Sequence, residues 1–399
     1  MSPREAAPRT GQEPSVMAAS RATIVSAGTV VTGLDVLRPG WVRVVGSRIT
    51  HVGEGISPRD ADVEALAGVI TAGFVDIHVH GGGGASFTSG DADEAARAVA
   101  FHRRHGTTSM LASLVSAEPS VLLDGVTMLA DLAQDGLLDG IHLEGPWLAP
   151  GKRGAHDAAT LRHPDPAEID RLVVAGRGHL AMVTLAPELP GALEAVRRLS
   201  QSGVRVAIGH TEADYERTTA AIAAGATVAT HLFNAMPLLH HRDPGPVAAL
   251  MEDSRVTVEL IADGTHLHQA VLEHVVARVG PTRVAFVTDA MAAAGMPDGD
   301  FTLGQLPVQM RSGIARLADG TLAGSTATTQ ALYGAALEVC RSYGDPALAA
   351  ATMTARTPAR ALGLLDIGTL GPGARADLLV LDANKQVLRV MSAGEWVQS

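Results

Sequence analysis

Between residues 71 and 358, short aliphatic runs alternate with Ala-, Leu- and Arg-rich stretches of helical period, and this alternation constrains the fold more than any other feature. The strand candidates span 68–80, 107–115, 140–147, 179–188, 204–211, 226–234, 255–264 and 283–290. Segments such as DADEAARAVAFHRRHG and PGALEAVRRLSQSG lie between them. Several runs are almost continuously apolar, as expected for parallel strands buried on both faces. About eight βα units in roughly 290 residues match an α/β fold of the (β/α)8 TIM barrel type, for which ~250 residues is typical. A doubly wound sheet is the alternative, but it calls for an early G-x-G-x-x-G phosphate loop. None follows the first strands, and the glycines at 81–84 read instead as a loop that lets backbone approach closely.

The flanks have another texture. Residues 21–70 and 359–399 carry short Val- and Ile-rich runs punctuated by Gly, which predicts a small β-sandwich built from both chain ends around the 71–358 barrel. Residues 1–20 lack the apolar core of a secretory signal and read as a disordered tail, with Met17 an alternative start. No apolar run reaches the roughly 18–20 residues that span a bilayer.

A barrel builds its active site from the C-terminal ends of its strands. Here the first strand ends in Asp76, His78 and His80, and the third in His142 and Glu144. The fifth ends in His210 and the sixth in His231 and Asn234. The seventh ends in Asp263 and His266, and the eighth in Asp289. A lone His or Asp at such a place is usually a cap or a satisfied core group. Six strand ends carrying metal-capable residues together point to a metal site. His78 and His80 lie two apart, hence on one face of a strand, and His142 reads as a group behind the ligands. His102, His105, His163, His179 and His274 fall on helices or loops and read as solvated; His51 lies in the flanking unit.

With Cys340 the single cysteine, thiolate ligation is excluded, as is a disulfide framework. Imidazole plus carboxylate suits one or two divalent ions, zinc first and iron, manganese or cobalt after it. Such an ion lowers the pKa of bound water from ~15.7 to about 7. Asp289 is placed to take that proton and pass it to a leaving group. The chemistry is hydrolysis at a polar carbonyl or an imine-like carbon. Acidic residues outnumber basic ones, 42 to 31, so neither a nucleic-acid nor a membrane partner is expected, and the one cysteine suits the cytoplasm.

Together these motifs resemble the amidohydrolase superfamily, with its H-x-H on strand one, its Asp on strand eight and a closing G-x-L-x-x-G-x-x-A-D-L, here Gly368 to Leu378. Superfamily members that bridge two metals with a carboxylated Lys at the end of strand four are disfavoured. That end is Leu185 to Glu188, and the chain has only Lys152 and Lys385. Glu144 is the natural substitute as bridge.

The finer motifs resemble the N-acetylglucosamine-6-phosphate deacetylase family: GFVDIHVHGGGG, HLEGPWL, GHT, THLFNAM, RDPG, IADGTH, VTDA and TLAGS occur in order over about 70–390. The resemblance implies that Glu144, His210 and His231 hold a core metal and that His78 and His80 make a second position available. It implies Asp289 as acid and base, and His266 as a sugar contact that polarises the acetyl carbonyl. Asn234, Ala235 and Arg242 match phosphate contacts, with Arg242 reaching from a neighbouring subunit, which implies a homodimer. Ala155 and the backbone of Leu322, Ala323 and Gly324 match sugar contacts, with His156 beside them. Lys152, in the same loop, reads as solvated. The implied reaction is metal-dependent hydrolysis of the acetamide of N-acetyl-D-glucosamine 6-phosphate to D-glucosamine 6-phosphate and acetate. Other N-acyl amino sugars, N-acyl amino acids or aminopurines are the alternative substrates, and a non-catalytic scaffold is the reading from another class.

Overall fold

The structure is a computed structural model and describes residues 22–58 and 62–398. The tail expected at 1–20 and the start at Met17 lie outside the described residues.

Eight parallel strands form one sheet: Phe74–Asp76, Thr107–Leu114, Gly140–Glu144, Leu180–Leu185, Arg205–Ile208, Ala226–Ala229, Thr257–Leu260 and Val284–Phe286. A helix follows each strand, from Ala92–Arg104 after the first to Thr329–Val339 after the eighth. Polar side chains start several of them: Asp91, Asp165, Asp214 and Thr328 each accept a hydrogen bond from a first-turn N–H that the helix itself cannot satisfy.

The first and last strands meet through the residues that follow them. Asp289 N donates to His78 O at 2.8 Å, and His80 N donates to Ala290 O at 2.8 Å. Beneath this seam Thr288 Oγ1 donates to the buried Asp76 carboxylate at 2.5 Å. Burial pushes Asp76 up to about 6, against the opposing pull of the Thr288 bonds. The seam draws the first and eighth strand ends, with their titratable residues, into one place.

Both chain ends build a second, connected eight-stranded sheet. Thr23–Val31 pairs parallel with Asp62–Ala72, which pairs antiparallel with Leu378–Leu381. The run expected as one strand over 68–80 is two: Asp62–Ala72 stays in this sheet, and Phe74–Asp76 opens the barrel. Gly73 makes the break, for a Cβ there would lie 2.1 Å from Thr108 Oγ1. The strand therefore runs past the expected boundary at 70. At the other end the helix Thr357–Leu362 packs on barrel strands, so residues 359–362 lie with the barrel.

The chain docks this sheet on the barrel's N-terminal end through Arg375, which lies in the closing motif. Its guanidinium donates to Asp377, to Asp139 at 3.1 Å, to Ser109 Oγ and to Thr108 O. After the eighth strand comes a three-stranded antiparallel insert, Gly299–Leu303, Leu306–Arg311 and Ile314–Arg316. Ala323 N donates to Ala315 O, which holds the insert against the 322–324 segment at the barrel mouth.

Candidate active site

Six buried side chains converge at the C-terminal end of the barrel in two groups: Glu144 with His210 and His231, and His78 and His80 with Asp289. In the first, Glu144 Oε1 lies 2.9 Å from His210 Nε2 and 3.0 Å from His231 Nε2, and the two nitrogens are 3.1 Å apart. In the second, His78 and His80 bring their Nε2 atoms to 3.2 Å, and His80 Nε2 lies 3.2 Å from Asp289 Oδ1. Glu144 joins the groups, its Oε2 being 3.2 Å from His80 Nε2. His210, His231 and Asp289 all have positive φ, 47°, 26° and 48°, a conformation that residues with a Cβ rarely take. Backbone strain of this kind costs about 1–3 kcal/mol per residue and persists where the surroundings enforce it, commonly at functional sites.

Surrounding groups fix the orientation of three rings. His210 Nδ1 faces Lys152 O at 2.8 Å, His80 Nδ1 faces Ser113 O at 3.2 Å, and His78 Nδ1 faces the Glu259 carboxylate at 3.1 Å. Carbonyl and carboxylate oxygens only accept, so each Nδ1 carries a proton and each ring turns its Nε2 inward. With these rings neutral, their Nε2 lone pairs face the carboxylate oxygens of Glu144 and Asp289. That arrangement suits a divalent cation held by nitrogen and oxygen donors.

The electrostatics give the same answer. Burial alone would raise the Asp289 carboxyl, yet the charge of His78 and the hydrogen bond from His80 hold it at about 2. Burial disfavours charge on His80, but bonds to Asp289 and Glu144 carry it up to about 9. The carboxylates demand positive charge among them, and either a proton on His80 or a divalent cation supplies it.

A cavity of about 450 Å³ opens over these groups. Ala155, His156, Asn234, Ala235, His266, Leu322 and Gly324 all line it; Ala323 is fully buried behind it. The Asp263 carboxylate lies 2.8 Å from His266 Nδ1 and accepts from His266 N and Thr265 N. Burial works against charge on His266, but this carboxylate outweighs it and raises the ring's pKa. His156 Nδ1 accepts from Ser116 N at 3.2 Å, and its Nε2 lies 3.2 Å from Glu144 Oε2. Burial pushes it down to about 4, so the ring is neutral at pH 7. Asn234 Nδ2 donates to His231 O at 3.1 Å. Arg242 is the expected residue that the structure does not bring to this cavity. It is exposed, with Nη1 2.8 Å from His241 Nε2.

His142 lies behind the cluster as expected, bonded to Ser113 Oγ and Thr184 Oγ1 and stacked edge-on against His78. Two sequence expectations are corrected. His102 is not solvated: it is fully buried, and its Nε2 donates to Gly81 O at 2.9 Å. Its helix carries it under the glycine loop, a tertiary contact that helical period alone does not show. Lys152 is half-buried, lines the cavity and donates to Met236 O at 3.3 Å.

Two supporting residues escaped the sequence reading. Glu259 is fully buried and binds both the His78 ring and His231 N, at 3.1 and 3.2 Å. Its signal was a single carboxylate inside the apolar run VTVELIA. Ser113 holds Val79 N and the rings of His80 and His142, and a serine in a strand leaves no comparable mark.

The amidohydrolase family pattern matches residues 69–397. The chain is 38% identical over 346 residues to the N-acetylgalactosamine-6-phosphate deacetylase of Escherichia coli O157:H7, covering 85% of this chain and 89% of that one. It is 35% identical over 345 residues to the N-acetylglucosamine-6-phosphate deacetylase of Vibrio furnissii, covering 85% and 86%. Among solved structures, an aspartate-to-alanine mutant of the Mycobacterium smegmatis N-acetyl-D-glucosamine-6-phosphate deacetylase, in complex with N-acetyl-D-glucosamine-6-phosphate, superposes with a TM-score of 0.92. That match is at 49% identity and covers 95% of this chain and all of that one.

Proposed function

The chain belongs to the amidohydrolase family, and on that premise we propose that it hydrolyses the acetamide of N-acetyl-D-glucosamine 6-phosphate to D-glucosamine 6-phosphate and acetate. The observation that carries the reading is the pair of facing donor groups around Glu144 at the floor of a cavity lined by Asn234, Ala235 and His266.

Glu144, His210 and His231 would hold one divalent ion, and His78, His80 and Asp289 suit a second; zinc is the first choice. The bound ion supplies a water of lowered pKa and polarises the carbonyl. Asp289, held ionised, accepts a proton from the attacking water. The water oxygen bonds to the acetyl carbon, the C–N bond breaks, and Asp289 returns the proton to the leaving amine. His266 is fixed by Asp263 with its Nε2 free, and its raised pKa suits donation to the developing oxyanion. Asn234 and Ala235 take the phosphate end, and Ala155, His156 and the 322–324 backbone take the sugar.

A homodimer fits the placement of Arg242. The residue is exposed and absent from its own cavity lining, and it follows Leu238 and Leu239, which are 85% and 53% exposed. Among the described residues no helix is long and apolar enough to cross a membrane. A phosphorylated sugar as substrate and the single buried Cys340 suit a cytoplasmic enzyme.

The relative in Escherichia coli O157:H7 favours a second reading, N-acetylgalactosamine 6-phosphate, with the same bond broken. The test is acetate release from both sugar phosphates and from unphosphorylated N-acetylglucosamine. Fast release from N-acetylglucosamine 6-phosphate supports the first reading. Preference for the galactosamine epimer selects the second, and release from neither phosphate overturns both.

A further inference from the structure

We propose that Lys152 and Arg316 form a cationic clamp within each subunit that holds the phosphate of the substrate and sets the preference for phosphorylated sugars. The inference rests on the deacetylase reading above and assigns that reading two residues it did not use.

Among the described residues, Lys152 and Arg316 are the only Lys or Arg that line the catalytic cavity. They come from different segments. Lys152 lies in the loop after the third barrel strand, and its Nζ donates to Met236 O, one residue beyond Asn234 and Ala235. Arg316 ends the three-stranded insert, where it bridges to Leu322 and its Nη1 donates to Gly320 O at 2.8 Å. Two walls of the cavity thus each contribute one positive charge beside the segments expected to touch phosphate and sugar.

Neither charge is answered by a carboxylate. Among the described residues no Asp or Glu lies within ion-pair distance of Lys152 or Arg316. Arginines that serve the fold behave differently: Arg162 is paired with Glu168, and Arg375 with Asp377 and Asp139. An ammonium has three donors and a guanidinium five, and one carbonyl contact apiece leaves most of them free. The cavity floor is itself acidic, with Glu144 and Asp289, so unpaired cations at its walls sort an anionic end away from the reacting end. A compact ammonium and a forked guanidinium are the two side-chain chemistries that bind phosphate best. Arg242 does not line this cavity in its own subunit, which leaves Lys152 and Arg316 as the cations a single chain provides.

The experiment uses the full-length metal-loaded enzyme and the variants Lys152→Met, Arg316→Met and the double. It reads the ratio of kcat/KM for N-acetylglucosamine 6-phosphate to that for N-acetylglucosamine. A ratio is insensitive to the fraction of folded or metal-loaded protein, so a merely structural role leaves it unchanged. Loss of one charge-assisted contact should lower it about tenfold, and the double variant about a hundredfold. An unchanged ratio overturns the clamp, whatever happens to the absolute rates. Calorimetry with inorganic phosphate gives a second readout, with weaker binding expected in each variant. If the wild type deacetylates neither sugar, the deacetylase reading fails, and phosphate binding alone still judges the clamp. Phosphate that binds wild type and variants alike, or binds neither, overturns it.

Discussion

The two ends of the barrel handle buried charge in opposite ways. At the N-terminal end the Arg375 guanidinium meets Asp377, Asp139, Ser109 and Thr108 O, so donors and acceptors answer one another. At the C-terminal end, His78, His80, His210 and His231 turn nitrogens toward Glu144 and Asp289, and the carboxylates call for a positive charge, a proton or a cation, among them. The first arrangement is complete and holds two units together. The second is incomplete without a cation and a substrate. Buried charge marks function only where the protein leaves it unsatisfied.

The sharpest way to break this comparison is to alter each end and read activity and stability separately. Asp289→Asn should lower kcat by roughly a thousandfold, within the range for loss of a general acid–base group, while the thermal midpoint moves by less than about 3 °C. Steady-state kinetics and calorimetry on one preparation check both halves. Arg375→Met should do the reverse. It leaves Asp377 buried without its partner and should cost about 3 kcal/mol of stability, read by urea unfolding, with kcat within about twofold of wild type in the folded protein.

His102 tests the line between the two behaviours, because it lies beneath the glycine loop with Nε2 bonded to Gly81 O and Nδ1 buried without a partner among the described residues. Burial holds its pKa at about 4. Below pH 6.5 the unfolded ring binds a proton that the folded ring refuses until about pH 4. Its contribution to stability is therefore full above pH 6.5 and is lost as pH falls toward 4, by roughly 2–3 kcal/mol. Replacement by Gln keeps a donor for Gly81 O and removes the titration. The stability advantage of wild type over His102→Gln should thus hold steady above pH 6.5 and shrink as pH falls toward 4. A constant difference would show that His102 does not titrate as its burial demands.

The smallest expected effect concerns Asp263. Asp263→Asn removes the carboxylate that raises the His266 pKa. Activity should fall about tenfold, as for other groups that orient a catalytic ring, and the alkaline limb of the pH–rate profile should move to lower pH. An unmoved limb would detach His266 from the proton balance of the reaction.

Much of this site was legible because a parallel barrel puts its chemistry where its strands end. His78, His80, Glu144, His210, His231 and Asp289 could be gathered from five strand ends before any contact was known, and the structure brings them together. Residues that act from the middle of an element or across the fold were harder to see. Glu259 lies inside an apolar strand, Ser113 acts through its hydroxyl and its carbonyl, and Arg316 reaches the cavity from an insert. The division of the 68–80 run needed the contact between Gly73 and Thr108, which no local pattern contains. His102 failed for the same reason, since helical period marks which face is apolar but not which imidazole lies beneath a glycine loop.

The central claim is that the acceptors at the C-terminal end exist to hold a divalent ion that the reaction requires. Its most direct test removes all metal with a chelator, adds zinc back in measured amounts, and follows bound metal and acetate release from N-acetylglucosamine 6-phosphate together. The account predicts no release without metal, and release that rises with occupancy until the Glu144, His210 and His231 position is full. Acetate release at the original rate from protein shown to be free of metal would contradict it.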